Sequence, residues 1–323
     1  GTSLGCIPWG YRVPAGVGSL PGHPRKVSRV LQFKVPPEWE GRTVKDFARQ
    51  YLGLSSRSFV KQKHLPNGLL RNGNPCRSID VLSGGDVLTL NLPEENPVYQ
   101  PVAGPLDILW EDEDYLVVAK PPGMPVHPSP GHDRDSLLNR VAYYCQEKGQ
   151  QYAFRPLYRL DRDTSGIVVV GKHRTAVSSA QVKKLYYGIV QGELDCQGTV
   201  DAPIALEPGS KIRRCCGKDG QVAVTHWEAL ASAEGHTLLR FQLGTGRTHQ
   251  IRVHMAYTGH PLAGDDLYGG SRQLLGRQGL HCGWLFLSCK ALGTSLELGC
   301  PFPRDLVAAF PWIESFSPKL SPH

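Results

Sequence analysis

The chain has 323 residues, 40% of them hydrophobic, and a formal net charge of +7, which suits two domains with at least one sizeable core. No apolar run is long enough to span a bilayer, the N-terminus lacks the charged start and apolar centre of a signal peptide, and the nine cysteines include no C-x-x-C pair. These features argue against a helical membrane protein, a disulfide-framed secreted domain and a cysteine metal centre; the expectation is a cytoplasmic protein with reduced thiols, and the missing initiator Met suggests a fragment or processed form.

The charge is unevenly placed. Residues 1–100 carry 13 Lys/Arg against 7 Asp/Glu, and the remainder 23 against 22, a distribution expected of an N-terminal segment that grips phosphate. Residues 1–28, rich in Gly and Pro without periodicity, read as a loosely ordered lead-in. Arg29 to Val35 alternates as a first strand. From Thr43, the apolar positions Val44, Phe47, Ala48, Tyr51 and Leu52 mark an amphipathic helix that Gly53 stops. Ser55 or Ser56 caps a second helix through Lys63, which displays Arg57, Lys61 and Lys63. Gly68 to Pro75 reads as strand and tight turn, with Asn72-Gly73 supplying the positive dihedrals, and Val87 to Leu92 as a strand after the turn at Ser83 to Asp86. Residues 29–92 thus form one small α+β unit. Residues 93–105, punctuated by proline, are the expected linker.

The expected large domain, residues 106–315, opens with a hairpin: Leu106 to Trp110, a turn at Glu111 to Asp114, and Tyr115 to Lys120. Lys120, before two prolines at a strand end, reads as a surface or phosphate-facing group. At its centre lies Arg155-Pro156-Leu157-Tyr158-Arg159-Leu160-Asp161-Arg162-Asp163-Thr164-Ser165-Gly166, a charge-dense loop running into the β-branched strand Ile167 to Val170. Arginines keep nearby carboxylates ionised even when partly dehydrated, so Asp161 and Asp163 are candidates for catalysis or for a structural ion-pair network. Further on, a strand from Thr237 to Leu243 ends at the glycine turn Gly244-Thr245-Gly246-Arg247, and a helix opens near Thr248. The third glycine of a dinucleotide loop is missing, His249 standing in its place. His249, Arg252 and His254 are expected to face phosphate or the core rather than a metal, since no metal-ligand spacing accompanies them. Strands around Leu280 to Leu287 and Ser295 to Leu298, a helix near Pro303 to Phe310, and a tail over 316–323 close the chain.

Three stretches resemble the RluA-type pseudouridine synthases. Arg159 to Gly166 is similar to the family's H-R-L-D-x-x-T-S-G, with Tyr158 in place of the usual His. Lys183-Lys184-Leu185-Tyr186-Tyr187-Gly188-Ile189-Val190-Gln191-Gly192 is similar to K-x-Y-x-A-x-V-x-G, with Gly188 for Ala. Thr245-Gly246-Arg247-Thr248-His249-Gln250-Ile251-Arg252-Val253-His254 is similar to T-G-R-x-H-Q-I-R-x-H, followed by Gly259 to Gly269. Glu113 to Pro128 resembles the opening of the same catalytic domain. The stretch from His173 to Gln181 is shorter than the helix and loop the resemblance leads one to expect. Residues 29–92 resemble the small RNA-binding domain named after ribosomal protein S-four, in the basic second helix and the turn Leu70-Arg71-Asn72-Gly73.

The resemblance implies an α+β fold with a mixed, largely antiparallel central sheet, preceded by the small RNA-binding domain. It implies isomerisation of uridine to pseudouridine in structured RNA, ribosomal or transfer, by a monomer without metal or cofactor. Asp161 would be the essential carboxylate, Arg247 its ion-pair partner, and Tyr186 the ring stacked on the flipped base. Arg159, Leu160, Arg162, Thr164, Ser165, Lys184, Thr248, His249, Gln250 and Arg252 would contact substrate, while Arg57, Lys61, Lys63 and Arg71 would grip RNA. An aspartic hydrolase, the rival suggested by Asp163-Thr164-Ser165-Gly166, needs two such stretches sharing a proton, and only one exists. A non-catalytic RNA-binding factor is the remaining alternative.

Overall fold

The computed structural model describes residues 29–92, 98–150 and 153–319. The expected lead-in, the first part of the expected linker and the end of the tail lie outside the described residues. Four short strands, Arg29–Lys34 (β1), Leu69–Arg71 (β2), Asn74–Pro75 (β3) and Val87–Leu92 (β4), form an antiparallel sheet in the order β1-β4-β2-β3. The first helix (α1, Val44–Asp46) is capped by Thr43 and continues as a wider π-helical turn over Phe47–Tyr51. That turn differs from the regular helix read in the sequence: the Leu52 amide bonds Phe47 O, and both side chains are buried. Ser55 caps the second helix (α2, Ser56–Lys63), its Oγ accepting from the Ser58 amide. Asn72 and Gly73 make the expected turn at φ 48° and 81°.

A ten-stranded sheet dominates the rest. In chain order its strands are Asp107–Glu111 (β5), Tyr115–Lys120 (β6), Arg155–Pro156 (β7), Ser165–Gly171 (β8), Gln181–Gln191 (β9) and Gln197–Asp201 (β10). A separate two-stranded ribbon follows, Ile204–Leu206 (β11) and Arg214–Cys216 (β12), before Val224–Ala233 (β13), His236–Leu243 (β14), Leu280–Cys289 (β15) and Thr294–Gly299 (β16) rejoin the sheet. The order is β10-β13-β14-β9-β15-β8-β6-β5, with β16 on β15 and β7 on β8. Every pairing is antiparallel except β15 with β8, which run parallel at His281–Ser165 and Cys282–Gly166. Helices Leu137–Glu147 (α3), Arg174–Ser178 (α4) and Gln250–Tyr257 (α5) lie between these strands in the chain, and Arg304–Ala309 (α6) follows the last of them. The short link read between His173 and Gln181 is α4, a single turn. None of the described helices is long and apolar enough to cross a membrane.

Ile167 to Val170 are fully buried, as a strand lying between two neighbours and covered on both faces must be. The capping box of α3, Ser136 with Asn139, is itself buried, and Leu137, Leu138, Val141 and Ala142 join the same core. Apolar residues of the small sheet continue into this core without a break. Polar contacts link the two regions as well: Arg29 forks onto the Asp114 carboxylate at 3.0 and 3.1 Å, and Ser58 Oγ meets Ser178 Oγ at 2.6 Å. Asp114 also accepts from His173.

Candidate active site

The loop carrying Asp161 leaves β7 and re-enters the sheet as β8, and four side chains far away in sequence hold its shape. Lys120, at the end of β6, is 1% exposed and donates to the carbonyls of Pro121, Met124 and Arg162 at 2.8–2.9 Å. This corrects the reading of Lys120 as a surface or phosphate-facing group: with three carbonyls converging on it, the side chain braces the loop from inside. Burial, helped by the charge on Arg277, pushes its pKa down to about 7, against the pull of Asp163 and Asp161. Arg277 donates to Asp163 O and to Ser165 Oγ and is anchored in turn by the Asp305 carboxylate. Ser165 Oγ meets His281 Nδ1 at 2.9 Å, while His281 Nε2 donates to Cys300 O. Burial keeps that imidazole neutral, its pKa lowered to about 4.

Gly166, φ 120°, fixes where the loop enters the sheet. A Cβ there would lie 2.2 Å from Cys282 O, so only glycine lets β8 run this close to β15. Cys282 is in register with Tyr186 on β9, so the chain order β8, β9, β15 becomes the spatial order β8, β15, β9. The Asp161 loop and Tyr186 therefore come together across a single strand. On the same strand Gly188 stands where the resemblance expected Ala. A Cβ would approach Phe241 Cε2 at 2.9 Å and Leu262 Cδ2 at 3.0 Å, which accounts for the departure.

From the other side comes the glycine turn after β14. Gln250 is 2% exposed; its Oε1 accepts from Thr245 Oγ1 and the Arg247 amide, and its Nε2 donates to Val224 O and Thr225 Oγ1. These bonds lock the turn onto β13. His249 follows with the left-handed φ of 58°, unusual for a residue with a side chain and a form of strain that clusters at functional sites. His254 sits in the core, bonded to Thr225 and Ala202 O.

Together these segments enclose a cleft of about 780 Å³. Arg159, Leu160, Asp161, Thr164, Lys184, Tyr186, Arg247, Thr248, His249, Gln250 and Arg252 all line it, and Asp161 is its one carboxylate among the described residues. Two expected members are elsewhere. Arg162 is paired with its neighbour Asp163 on the exposed side of the loop, and Ser165, 1% exposed, is spent on His281 and Arg277. Arg71, expected to grip RNA, instead braces its own hairpin through Asp86 at 2.6 Å and Val81 O.

The expected pairing of Asp161 with Arg247 is also corrected. Arg247 is exposed at the cleft rim and donates from Nε to Val222 O at 3.0 Å. The guanidinium against Asp161 belongs to Arg252, Nη1 to Oδ2 3.5 Å, with His249 Nε2 at 3.9 Å from the same oxygen. The reason is geometric: Arg247 lies in the turn before α5, whereas Arg252 lies within the helix, on its buried face. Arg252 Nε and Nη2 donate to both oxygens of buried Asp265 at 2.7 and 2.8 Å, a fork that leaves Nη1 for Asp161. Burial works against its charge, but the bond to Asp265 and the fields of Asp265 and Asp161 outweigh this and raise its pKa. Tyr268 completes the set. Its ring lies under the Arg252 guanidinium, 5.0 Å from the centroid, and its hydroxyl accepts from the Arg214 amide while meeting His249 Nδ1 at 2.8 Å. In the tautomer that takes the hydroxyl proton at Nδ1, His249 Nε2–H is directed at Asp161. Burial lowers the His249 pKa and Asp161 opposes that shift, consistent with a neutral ring.

Asp265 and Tyr268 were given no role at the sequence level. Their only signal was two carboxylates and an aromatic set among the glycines of Gly264 to Gly270. Arg277 and His281 had no local signal. Tyr186 is 7% exposed, and burial, with Cys282 and Asp161 adding to it, raises its phenol far above the ordinary range, so it stays neutral. Among the described residues its hydroxyl has no hydrogen-bond partner.

Residues 114–257, which span both walls of the cleft, match the RNA pseudouridylate synthase family. The uncharacterized RNA pseudouridine synthase YjbO of Bacillus subtilis (strain 168) is 43% identical over 276 residues, covering 82% of this chain and 96% of that protein. Ribosomal large subunit pseudouridine synthase D of Escherichia coli (strain K12) is 35% identical over 275 residues, covering 78% and 84%. Among solved structures, human RNA Pseudouridylate Synthase Domain Containing 1 superposes with a TM-score of 0.53 at 25% identity, over 68% of this chain and 89% of that one. Fold and comparisons agree: the chain belongs to the RNA pseudouridine synthase family, whose members are isomerases.

Proposed function

We propose that this chain converts a uridine of structured RNA, in the large ribosomal subunit, to pseudouridine, with Asp161 as the essential carboxylate. The observation that carries this reading is the isolation of Asp161 as the one carboxylate on the cleft wall among the described residues, facing Arg252 and His249. A relative named for the large ribosomal subunit supports the choice of RNA.

A uridine within a stacked helix hides its anomeric carbon, so the nucleotide is extruded at a cost of roughly a few kcal/mol. Tyr186 replaces the stacking lost by the base, and Arg159, at the cleft mouth and within 3.3 Å of Thr248, is placed to occupy the gap left behind. Asp161 then acts at the sugar, either attacking C1′ or removing the C2′ proton. In both routes the C1′–N1 bond breaks, the uracil turns while held, C1′ bonds to C5, C5 loses its proton and N1 gains one. Nothing is oxidised or reduced, so the chemistry requires no redox cofactor. Arg252, fixed by Asp265 and Tyr268, orients Asp161 before substrate arrives.

Residues 29–92 act in this reading as an RNA-binding domain of the S-four type. Arg57, Lys61 and Lys63 are exposed on α2 and would add affinity through phosphates rather than base reading. A monomer in the cytoplasm completes the picture. The test is release of tritium from RNA carrying 5-tritiated uridine. Wild-type protein should release it from large-subunit ribosomal RNA, while Asp161→Ala should bind the same RNA and release none. Tight binding by the wild type with no pseudouridine in ribosomal or transfer RNA pools would leave a non-catalytic RNA-binding factor instead.

A further inference from the structure

The cleft holds a cation, Lys184, that was expected to contact substrate but has no part in the chemistry proposed above. Lys184 lies two residues before Tyr186 on β9, so both side chains leave the strand on the same face. Its ammonium sits 3.5 Å from the centre of the Tyr158 ring and 5.7 Å from that of Tyr186. Tyr158 is itself pinned, its hydroxyl donating to Ile167 O at 2.8 Å. Among the described residues Lys184 has neither an ion pair nor a hydrogen bond; two aromatic faces are its only support.

The other cations of the cleft are committed. Arg252 is shared between Asp265 and Asp161, Arg247 is bonded to Val222 O, and Arg159 reaches Thr248. Lys183, one residue earlier on the strand, is exposed. A half-buried ammonium with no oxygen partner, beside the ring expected to stack on the base, is short of an anion. Burial lowers its pKa, as it does for any cation that gives up water without gaining a carboxylate.

We propose that Lys184 is a catalytic residue that stabilises the negative charge developing on uracil as its glycosidic bond breaks. The inference rests on the reading of the cleft as the site of Asp161-dependent isomerisation. When the C1′–N1 bond cleaves, its electron pair stays with the base and spreads over N1, O2 and O4. An ammonium held at the edge of that ring favours the charged state over the neutral ground state, which is the differential interaction that raises a rate. No proton moves to or from Lys184 in this role. The faces of Tyr158 and Tyr186 hold the cation without neutralising it, as a carboxylate would.

The experiment uses the full chain, single-turnover conditions and a large-subunit ribosomal RNA transcript in which the wild type forms pseudouridine. Lys184→Met should lower the rate at saturating RNA by about 10²–10³-fold while changing RNA affinity less than about threefold, and Lys184→Arg should restore at least about tenfold of the loss. Tyr158→Leu, which removes the supporting face and keeps the ammonium, should fall between wild type and Lys184→Met. The decisive readout is the same transcript carrying 5-fluorouridine at the target. Fluorine disperses charge on the uracil anion, so the penalty of Lys184→Met on consumption of that nucleotide should shrink by about tenfold or more. Equal penalties on both substrates, an unchanged saturating rate, or a loss confined to affinity would each overturn the proposal. A wild type inactive on every RNA would instead remove the underlying reading of the cleft, and this role with it.

Discussion

In the small N-terminal region two ion pairs join side chains close by in the chain, whereas Arg29 reaches across to Asp114 in the larger sheet. Arg77 pairs with Asp80, and Arg71 with Asp86. In the cleft the separations are of another order: Asp161 with Arg252, Arg277 with the Asp163 carbonyl, and Ser165 with His281 lie 91, 114 and 116 residues apart. The first kind of contact shapes a turn and leaves the outer face of α2 to solvent and phosphate. The second kind forms between segments that only the tertiary fold brings together, and at Arg252 and Arg277 it takes charge out of water. The lesson is that an exposed pair such as Arg77–Asp80 costs little to lose, whereas a buried one such as Arg252–Asp265 leaves an uncompensated buried charge when either partner goes.

That contrast can be broken at several points. The largest effect is expected at Asp161. Asp161→Asn should lower pseudouridine formation by at least about 10³-fold with RNA affinity nearly unchanged, measured by tritium release and filter binding; substantial turnover would remove the carboxylate from the chemistry. Next is Asp265→Ala, which strands the Arg252 guanidinium. It should cost about 3–5 kcal/mol in urea unfolding, whereas Asp163→Ala, losing only the exposed pair with Arg162, should stay within about 0.5 kcal/mol. Similar values for the two would erase the distinction between buried and exposed ion pairs.

A pH profile sharpens it further. Folded His281 titrates at about 4, so between its ordinary value of about 6.5 and that point the unfolded chain binds a proton that the folded chain refuses. Its contribution is therefore complete above pH 6.5 and lost as pH falls towards 4, with a slope of up to about 1.4 kcal/mol per pH unit. His281→Gln should remove that component from urea melts across the window, and coincident slopes would contradict neutral burial. On the small sheet, Arg57→Ala with Lys63→Ala should weaken RNA binding and flatten its salt dependence by about one unit of slope per phosphate contact, without changing the saturating rate. The smallest functional effect belongs to Gly188→Ala. The added methyl crowds the buried side chains of Phe241, Leu262 and Leu280, so an overpacking cost of about 1–3 kcal/mol with activity within about twofold is expected.

Much of the fold was legible. The hairpin at Asp107–Lys120, the Ser55 cap, the Asn72-Gly73 turn and the buried strand after Gly166 all follow from local periodicity and turn chemistry. The residues that meet in the cleft were also largely named, because each sits in a short stretch of distinctive composition. What went wrong concerned direction. Arg247 and Arg252 are five residues apart, and nothing in their spacing says which one faces Asp161; the position of α5 against β13 and the Asp265 carboxylate settles it. Lys120 looked like a surface lysine because the carbonyl of Arg162, one of the three that hold it, comes from 42 residues away.

The sequence by itself determined the element types, the glycine positions that permit close approach, and the set of side chains carrying charge into one region. Those depend on dihedral preference and periodicity, which act over a few residues. Only the tertiary structure decided which arginine serves Asp161, which serine and lysine are structural, and that Lys184 is left without an oxygen partner. Those outcomes depend on strand order and burial, where the cost of an unpaired charge is felt and where contacts between distant segments of the chain select the survivors.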